Sequence, residues 1–339
     1  MTDLRSDTVT KPTPAMLEAM KAAPLGDDVL GDDPSVNSLQ STMAALFEME
    51  DALFCPSGTM TNQIAIKCHT QPGDEVICDK LSHIYQYEGG GIAFNSGCSV
   101  RLLEGDRGRI TAVQISENIN NRHDVHKPLS TLVSLENTAN RGGGSCYQFS
   151  EFDSIKKVCR DQQLKLHLDG ARIFNALIAS NEKPGAYGKI FDSISVCLSK
   201  GLGAPVGSVL LGNKDFISRA RRIRKVLGGG MRQAGMLAAA GSYALTHHVD
   251  RLKQDHEHAL ELAKALASVG YVKEILPVET NIVIFTLTGK YSAEQFITKL
   301  KANNILALAF SQDQVRMVTH LDVTPEMIGH CIKVINTLS

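Results

Sequence analysis

The stretch Ile194-Ser195-Val196-Cys197-Leu198-Ser199-Lys200-Gly201-Leu202-Gly203-Ala204-Pro205-Val206-Gly207 decides how this chain is read. Its apolar opening has the length and character of a buried strand, and a second such run, 208–211, follows directly. Lys200 therefore stands where a strand ends. Open α/β sheets take their ligands at the carboxyl edge of the strands, and a lysine partly withdrawn from water there can attack a carbonyl to form an imine. The glycines around it let a planar group approach closely. They do not spell G-x-G-x-x-G, they lie between two strands instead of opening a helix, and G-x-x-x-x-G-K-[ST] occurs nowhere, which disfavours nucleotide binding. On this segment alone, a surface lysine in a glycine-rich turn fits equally well.

Three further segments change that balance. Leu164-Lys165-Leu166-His167-Leu168-Asp169-Gly170-Ala171-Arg172 puts an acid at the end of another strand and an arginine three residues on. A helix N-cap is the plain alternative for Asp169. Beside a strand-ending lysine, it matches a pyridine-based cofactor, which needs an imine-forming lysine and a carboxylate to keep the ring nitrogen protonated. Cys55-Pro56-Ser57-Gly58-Thr59-Met60-Thr61-Asn62 turns from a strand into a helix whose first-turn amides and hydroxyls suit a phosphate, with an ordinary capped helix as the alternative. Ser82-His83 follows the run 75–78, where an imidazole can lie against a flat ring, move a proton, or simply pack.

Around these segments short apolar runs alternate with amphipathic helical stretches, the rhythm of a largely parallel α/β sheet. Strands are expected at 52–55, 75–78, 99–103, 131–135, 164–168, 193–198 and 208–211, seven for one large domain. Asp33 followed by Pro34 marks a helix start, after which Val36, Leu39, Met43 and Leu46 share a face. From 247 to 269 the pattern is one long charged helix. Strands at 281–286, 305–310 and 315–318, a helix near 292–302 and a last helix then make a smaller α/β unit. The boundary is placed near residue 248, with a large domain over 1–248 that is counted as including the N-terminal segment, and a small one over 249–339; the first ~20 residues fit either body.

The composition, 339 residues with 43% hydrophobic and 21% charged, is that of a globular chain of about two domains. A net charge of −1 gives no overall pull toward nucleic acid or an anionic membrane. The polar start lacks the apolar stretch of a signal peptide and no run of ~18 apolar residues occurs, so a cytoplasmic protein is expected. Eight cysteines without a C-x-x-C pair read as reduced, buried thiols. Arg219, Arg221, Arg222, Arg224 and Lys225 read as a solvated or subunit-facing helix. His247, His248, His256 and His258 lack H-E-x-x-H spacing, so no catalytic metal is expected.

In order and spacing, six motifs closely resemble the low-specificity L-threonine aldolases: Leu4 to Thr10 (LRSDTVT), Gly26 to Pro34 (GDDVLGDDP), His167 to Asn175 (HLDGARIFN), Leu198 to Gly207 (LSKGLGAPVG), Gly228 to Gln233 (GGGMRQ) and Arg316 to Asp322 (RMVTHLD). The resemblance implies a pyridoxal 5'-phosphate enzyme of the aspartate-aminotransferase fold (fold type I), an α/β architecture with a mainly parallel seven-stranded sheet in the large domain plus a small C-terminal α/β domain. By it, Lys200 carries the cofactor as an imine, Asp169 pairs with the ring nitrogen, His83 stacks on the ring, and Ser57, Gly58 and Thr59 bind the phosphate. Arg172 and Arg232 join the cofactor side, and positions matching Lys225 and Arg232 approach a neighbouring subunit's site. Ser6, Arg172 and Arg316 anchor the substrate carboxylate, and either His83 or His126 removes the β-hydroxyl proton. The implied activity is retro-aldol cleavage of L-threonine, L-allo-threonine and related L-β-hydroxy-α-amino acids to glycine and an aldehyde, in a homotetramer with sites between subunits and no nucleic-acid or membrane partner. Another reaction on the same fold, β-elimination or transamination, is the enzyme alternative; retention of both Lys200 and Asp169 disfavours a cofactor carrier without turnover. Two positions depart from the family pattern, Leu30 where a tyrosine is common and Ala139 where a histidine is common. Both are expected to line the substrate side.

Overall fold

The inner strand-forming runs are buried on both faces, so they are stable as a central sheet with helices on either side. The computed structural model describes residues 1–338 and arranges seven strands in the order Asp51–Cys55, Ser208–Gly212, Ser193–Cys197, Lys165–Gly170, Ser130–Glu136, Glu75–Asp79, Ser99–Leu103. These are the seven expected strands. Ser208–Gly212 runs antiparallel to both neighbours and every other pairing is parallel. Side chains alternate between faces: Ile77, Val133 and Leu135 join the main core, while Val76, Cys78 and Leu132 meet Ile66 and Ile92 in a second cluster. Because one strand alone is reversed, its amino end shares an edge with the carboxyl ends of the other six. Residues 56–62, 80–83, 137–140, 171–172 and 198–207 converge on that edge.

The expected helix start at Asp33 is present. Its carboxylate accepts from Ser35 and Val36 N–H at 3.1 and 3.0 Å to cap Pro34–Leu46, and from Gly235 N–H at 2.9 Å.

Strands Leu308–Ala309, Gln314–Val318, Ile282–Leu287 and Val272–Ile275 form a second, antiparallel sheet, whose core also takes residues from helices Leu252–Ala267, Ala293–Ala302 and Pro325–Thr337. Val272–Ile275 escaped the sequence reading because Lys273 and Glu274 are exposed and blur the alternation. The helix expected over 247–269 is present as Leu252–Ala267, starting five residues later, and a break at 248–251 separates it from a preceding helix, Gly235–His247. His248 lies at the break, buried, with Nδ1 donating to the Leu202 carbonyl at 2.7 Å. The N-terminal segment was expected in the large domain. Thr2–Asp3 instead pairs in parallel with Ile305–Leu306, and Leu4 lies in the core of the C-terminal unit.

Arg224 departs from the solvated helix expected of the basic run: it is 2% exposed, ion-paired to Asp28 at 2.7 Å and donating to the Phe54 carbonyl at 2.6 Å. All eight cysteines are free and buried. Among the described residues no helix is long and apolar enough to cross a membrane.

Candidate active site

Lys200 lies three residues beyond strand Ser193–Cys197, half-buried at the shared edge. It borders a cleft of about 390 Å³ with Ser6, His83, Arg172, Phe310 and Arg316. These side chains come from the N-terminal segment, three points along the large sheet's edge and the small sheet. A hollow of about 450 Å³ around Lys156, Arg160 and Lys189 lies at the opposite, amino edge of the strands and gathers none of this chemistry.

Asp169 is buried within Lys165–Gly170. Its Oδ2 accepts from Asn62 Nδ2 at 2.9 Å and its Oδ1 from the Ala171 N–H at 3.1 Å, which leaves each oxygen a lone pair for a further donor. Asn62 Nδ2 also lies 2.9 Å from Glu88 Oε1, which receives His83 Nδ1 at 3.0 Å. A carboxylate accepts, so His83 carries its hydrogen on Nδ1, and Nε2 is the atom able to take a proton. Burial pushes the imidazole pKa down, but the bond to Glu88 and the charges of Asp169 and Glu136 outweigh it, for a net rise. Glu136 stands beside Asp169 in the strand register and accepts from the His83 and Asn140 N–H groups at 2.8 and 2.9 Å. Burial, with the Asp169 charge, pushes Glu136 up to about 7. His83, Glu88 and Asp169 each present a possible metal-ligand atom within 4.8 Å of the others, but hydrogen bonds already join them directly and through Asn62.

Helix Gly58–His69 opens at the same edge, with Ser57 Oγ accepting from Met60 N–H at 3.2 Å. The N–H groups of Gly58 and Thr59 belong to the first turn, which has no intrahelical acceptor. Beside them the buried Ser208 Oγ has no hydrogen-bond partner and lies 3.5 Å from where a Cβ on Gly58 would stand. An orphaned hydroxyl at a helix amino terminus fits a phosphate. With Lys200 and the two-sided carboxylate of Asp169, the residues present fit pyridoxal phosphate.

Arg172 and Arg316 form the cationic wall. Arg172 donates through Nε and Nη2 to the two oxygens of Asp7 at 2.7 and 2.6 Å, with both side chains buried. Asp7 therefore engages one edge of the guanidinium, and the expected carboxylate anchor has only its other edge to offer. Arg316 donates to Asn140 Oδ1 at 2.8 Å and to the Arg5 carbonyl at 3.1 Å, and lies 5.3 Å from the centre of the Phe310 ring. Its Nε is buried without a partner. Among the described residues no carboxylate lies within ion-pairing distance of Arg316. Burial and the neighbouring Arg172 charge bring it down to about 10. Ser6 Oγ accepts from Thr8 N–H at 3.3 Å at the cleft wall.

Four of the expected residues lie outside the cleft of their own chain. His126 is exposed on the loop before Ser130–Glu136, at the amino edge, and its N–H donates to Asp124 Oδ1 at 3.1 Å. Arg232 is largely exposed and pairs with Asp27 at 2.9 Å, away from the cleft lining. Leu30, 75% exposed, belongs to the turn that carries Asp27. Ala139 is buried, its Cβ 2.8 Å from where one on Gly108 would stand, while its neighbour Asn140 faces the cleft. The sequence reading passed over Asp7 and Asn62, although both lie in segments it quoted, and it missed Glu88, Glu136 and Asn140.

Known proteins resemble this chain in sequence and fold. Residues 3–289 match the beta-eliminating lyase family. The low specificity L-threonine aldolase of Escherichia coli K12 is 43% identical over 330 residues, covering 97% of this chain and 96% of that one. Low-specificity L-threonine aldolase 1 of Arabidopsis thaliana is 40% identical over 336 residues, covering 97% and 94%. The solved structure of a threonine aldolase from Leishmania major superposes with a TM-score of 0.87 at 21% identity, covering 100% of this chain and 99% of that one, and so shares its fold. The chain belongs to the beta-eliminating lyase family, within its low-specificity L-threonine aldolase branch.

Proposed function

We propose that this protein uses pyridoxal phosphate to cleave L-threonine, L-allo-threonine and related L-β-hydroxy-α-amino acids into glycine and an aldehyde. The observation that carries the reading is the cleft itself: an imine-forming lysine, an imidazole with a free Nε2 and an arginine without a carboxylate partner face one space. Arg316 and the free edge of Arg172 take the substrate carboxylate. That grip sets which bond at Cα stands across the cofactor plane, and so favours Cα–Cβ cleavage over proton loss. His83 takes the β-hydroxyl proton at Nε2, the Cα–Cβ bond breaks as the C=O of the aldehyde forms, and the bonding pair stays with Cα until a proton arrives to make glycine. When bound, the cofactor supplies the electron sink for that pair. Asp169 would hold a proton on its ring nitrogen, and Lys200 would hold the cofactor as an imine.

The same reading makes the protein a cytoplasmic homotetramer whose sites are completed between copies. Support comes from the exposure of His126, Lys225 and Arg232 and from the apolar side chains beside them: Val226 is 82% and Val125 93% exposed, a surface that a neighbouring copy would cover. Incubation with L-threonine, assayed together for glycine, acetaldehyde, 2-oxobutyrate and ammonia, tests the reaction class. Glycine and acetaldehyde in equal amounts are expected, and Lys200→Ala should lose the cofactor bond that borohydride fixes. 2-Oxobutyrate with ammonia would instead establish elimination.

A further inference from the structure

A single line of hydrogen bonds crosses the large sheet beneath the cleft. His69 Nε2 lies 2.8 Å from Ser193 Oγ, Ser193 Oγ 2.8 Å from His167 Nδ1, and His167 Nε2 3.1 Å from Asn62 Oδ1. Asn62 Nδ2 then reaches Asp169 Oδ2 and Glu88 Oε1 at 2.9 Å each. Chemistry fixes every donor on this line. Two carboxylates accept only N–H, so the amide nitrogen faces them and the amide oxygen faces His167. An amide oxygen only accepts, so His167 bears its hydrogen on Nε2. Burial pushes His167 and His69 down to about 3, so both rings are neutral and His167 Nδ1 is a bare acceptor. The Ser193 hydroxyl must donate to it and in turn accept from His69 Nε2–H. All the dipoles point toward the carboxylates, and each bond polarises the next.

We propose that Asn62 is the positioning residue of this site: one amide holds both Asp169 and Glu88, and through Glu88 the His83 imidazole, while the His69–Ser193–His167 line keeps that amide from turning over. A reversed amide would set three acceptor groups against one another with no hydrogen between them, a costly arrangement in a buried site. The ring-nitrogen carboxylate and the proton-moving imidazole are thus placed by a single side chain on helix Gly58–His69, the helix that also offers its amino terminus to the phosphate. The inference rests on the proposed use of pyridoxal phosphate, but one of its two measurements does not.

The first measurement is the pyridoxal phosphate Kd of the wild type, Asn62→Ala and Asn62→Asp, read by absorbance from mildly acid to alkaline pH. Asn62→Ala should weaken binding on the order of tenfold throughout, the loss of one hydrogen bond to a charged group. Asn62→Asp keeps the shape but faces Asp169, Glu88 and the neutral His167 with a third carboxyl group. Its binding should be weakest at alkaline pH and recover as the pH falls and the new acid regains an O–H donor. A packing role for Asn62 would not produce that rescue. Asn62→Ala within about twofold of the wild type, or Asn62→Asp with the wild-type pH dependence, overturns the proposal. The second measurement is the histidine nitrogen NMR spectrum of the wild-type holoenzyme, which decides the matter if neither variant folds. A neutral His167 with Nε2–H and bare Nδ1 is expected, and the other tautomer or an imidazolium overturns the line. A wild type that binds no pyridoxal phosphate would defeat the proposed function instead, and the same spectrum of the cofactor-free protein would still decide the line.

Discussion

Asp7→Asn removes one charge from the wall of the cleft while keeping the shape of the side chain. Asp7 is fully buried, and its two oxygens take both hydrogens on one edge of the Arg172 guanidinium at 2.7 and 2.6 Å. Burial alone would raise its pKa, but the Arg172 charge and hydrogen bonds hold the carboxyl at about 2 against an ordinary 3.8. That difference is worth ~2 kcal/mol of folding free energy. The substitution costs more, because it leaves a buried guanidinium without a counter-charge and turns an amide N–H toward one of its donors. Breaking a buried pair in this way costs ~3–5 kcal/mol, which for a chain of this length lowers the melting temperature by roughly 4–7 °C. A depressed carboxyl stabilises fully above its ordinary value and loses that stabilisation as the pH falls through the folded value. The wild type and variant should therefore differ most near neutrality and converge between 3.8 and about 2. Thermal unfolding across pH, with Arg172→Met and the double variant closing a mutant cycle, reads the coupling. In turnover, a released Arg172 misplaces the edge meant for substrate, so KM for L-threonine should rise more than kcat falls. A melting temperature within about 1 °C of the wild type at neutral pH would refute the reasoning.

Arg316→Ala removes a buried cation that has only neutral acceptors, so it should raise KM for L-threonine roughly 10- to 100-fold and impair cleavage and glycine α-proton exchange together. Exchange at the wild-type rate in this variant would show that Arg316 does not fix the carboxylate. His126 is exposed and remote from its own cleft, so any part it plays must be in another copy's site. With His83 retained, His126→Phe should slow cleavage without abolishing it, and assemblies mixed with inactive Lys200→Ala by co-refolding should cleave faster than the two parents' average; mixtures at or below that average would remove His126 from the reaction.

The parts of the fold that were legible in the sequence are those set by local periodicity. Strands such as Lys165–Gly170 and Ser193–Cys197 are buried along almost their whole length, so Leu166, Leu168, Ile194 and Val196 mark them in the sequence, and the charged residues at or just past their ends, Asp169 and Lys200, are conspicuous. Partners brought in by long-range closure left no such mark. Asp7 reaches Arg172 only because Thr2–Asp3 docks beside Ile305–Leu306, a pairing across some 300 residues that no local pattern announces. Asn62 reads as the polar face of a helix until that helix is seen buried from Thr61 through Ile66, where an amide must be answered by other polar groups. Glu88 was the least visible, since Tyr87-Glu88-Gly89-Gly90 has the look of an exposed turn. Gly89 and Gly90 both take the left-handed conformation, φ 63° and 72°, which a side chain there would resist. The bend they allow leaves the Glu88 carboxylate with no exposed surface, against Asn62, Gln63 and His83. The glycines that made the segment look like a loop are thus the reason its acid can be buried, and the acid orients the imidazole that the sequence did single out.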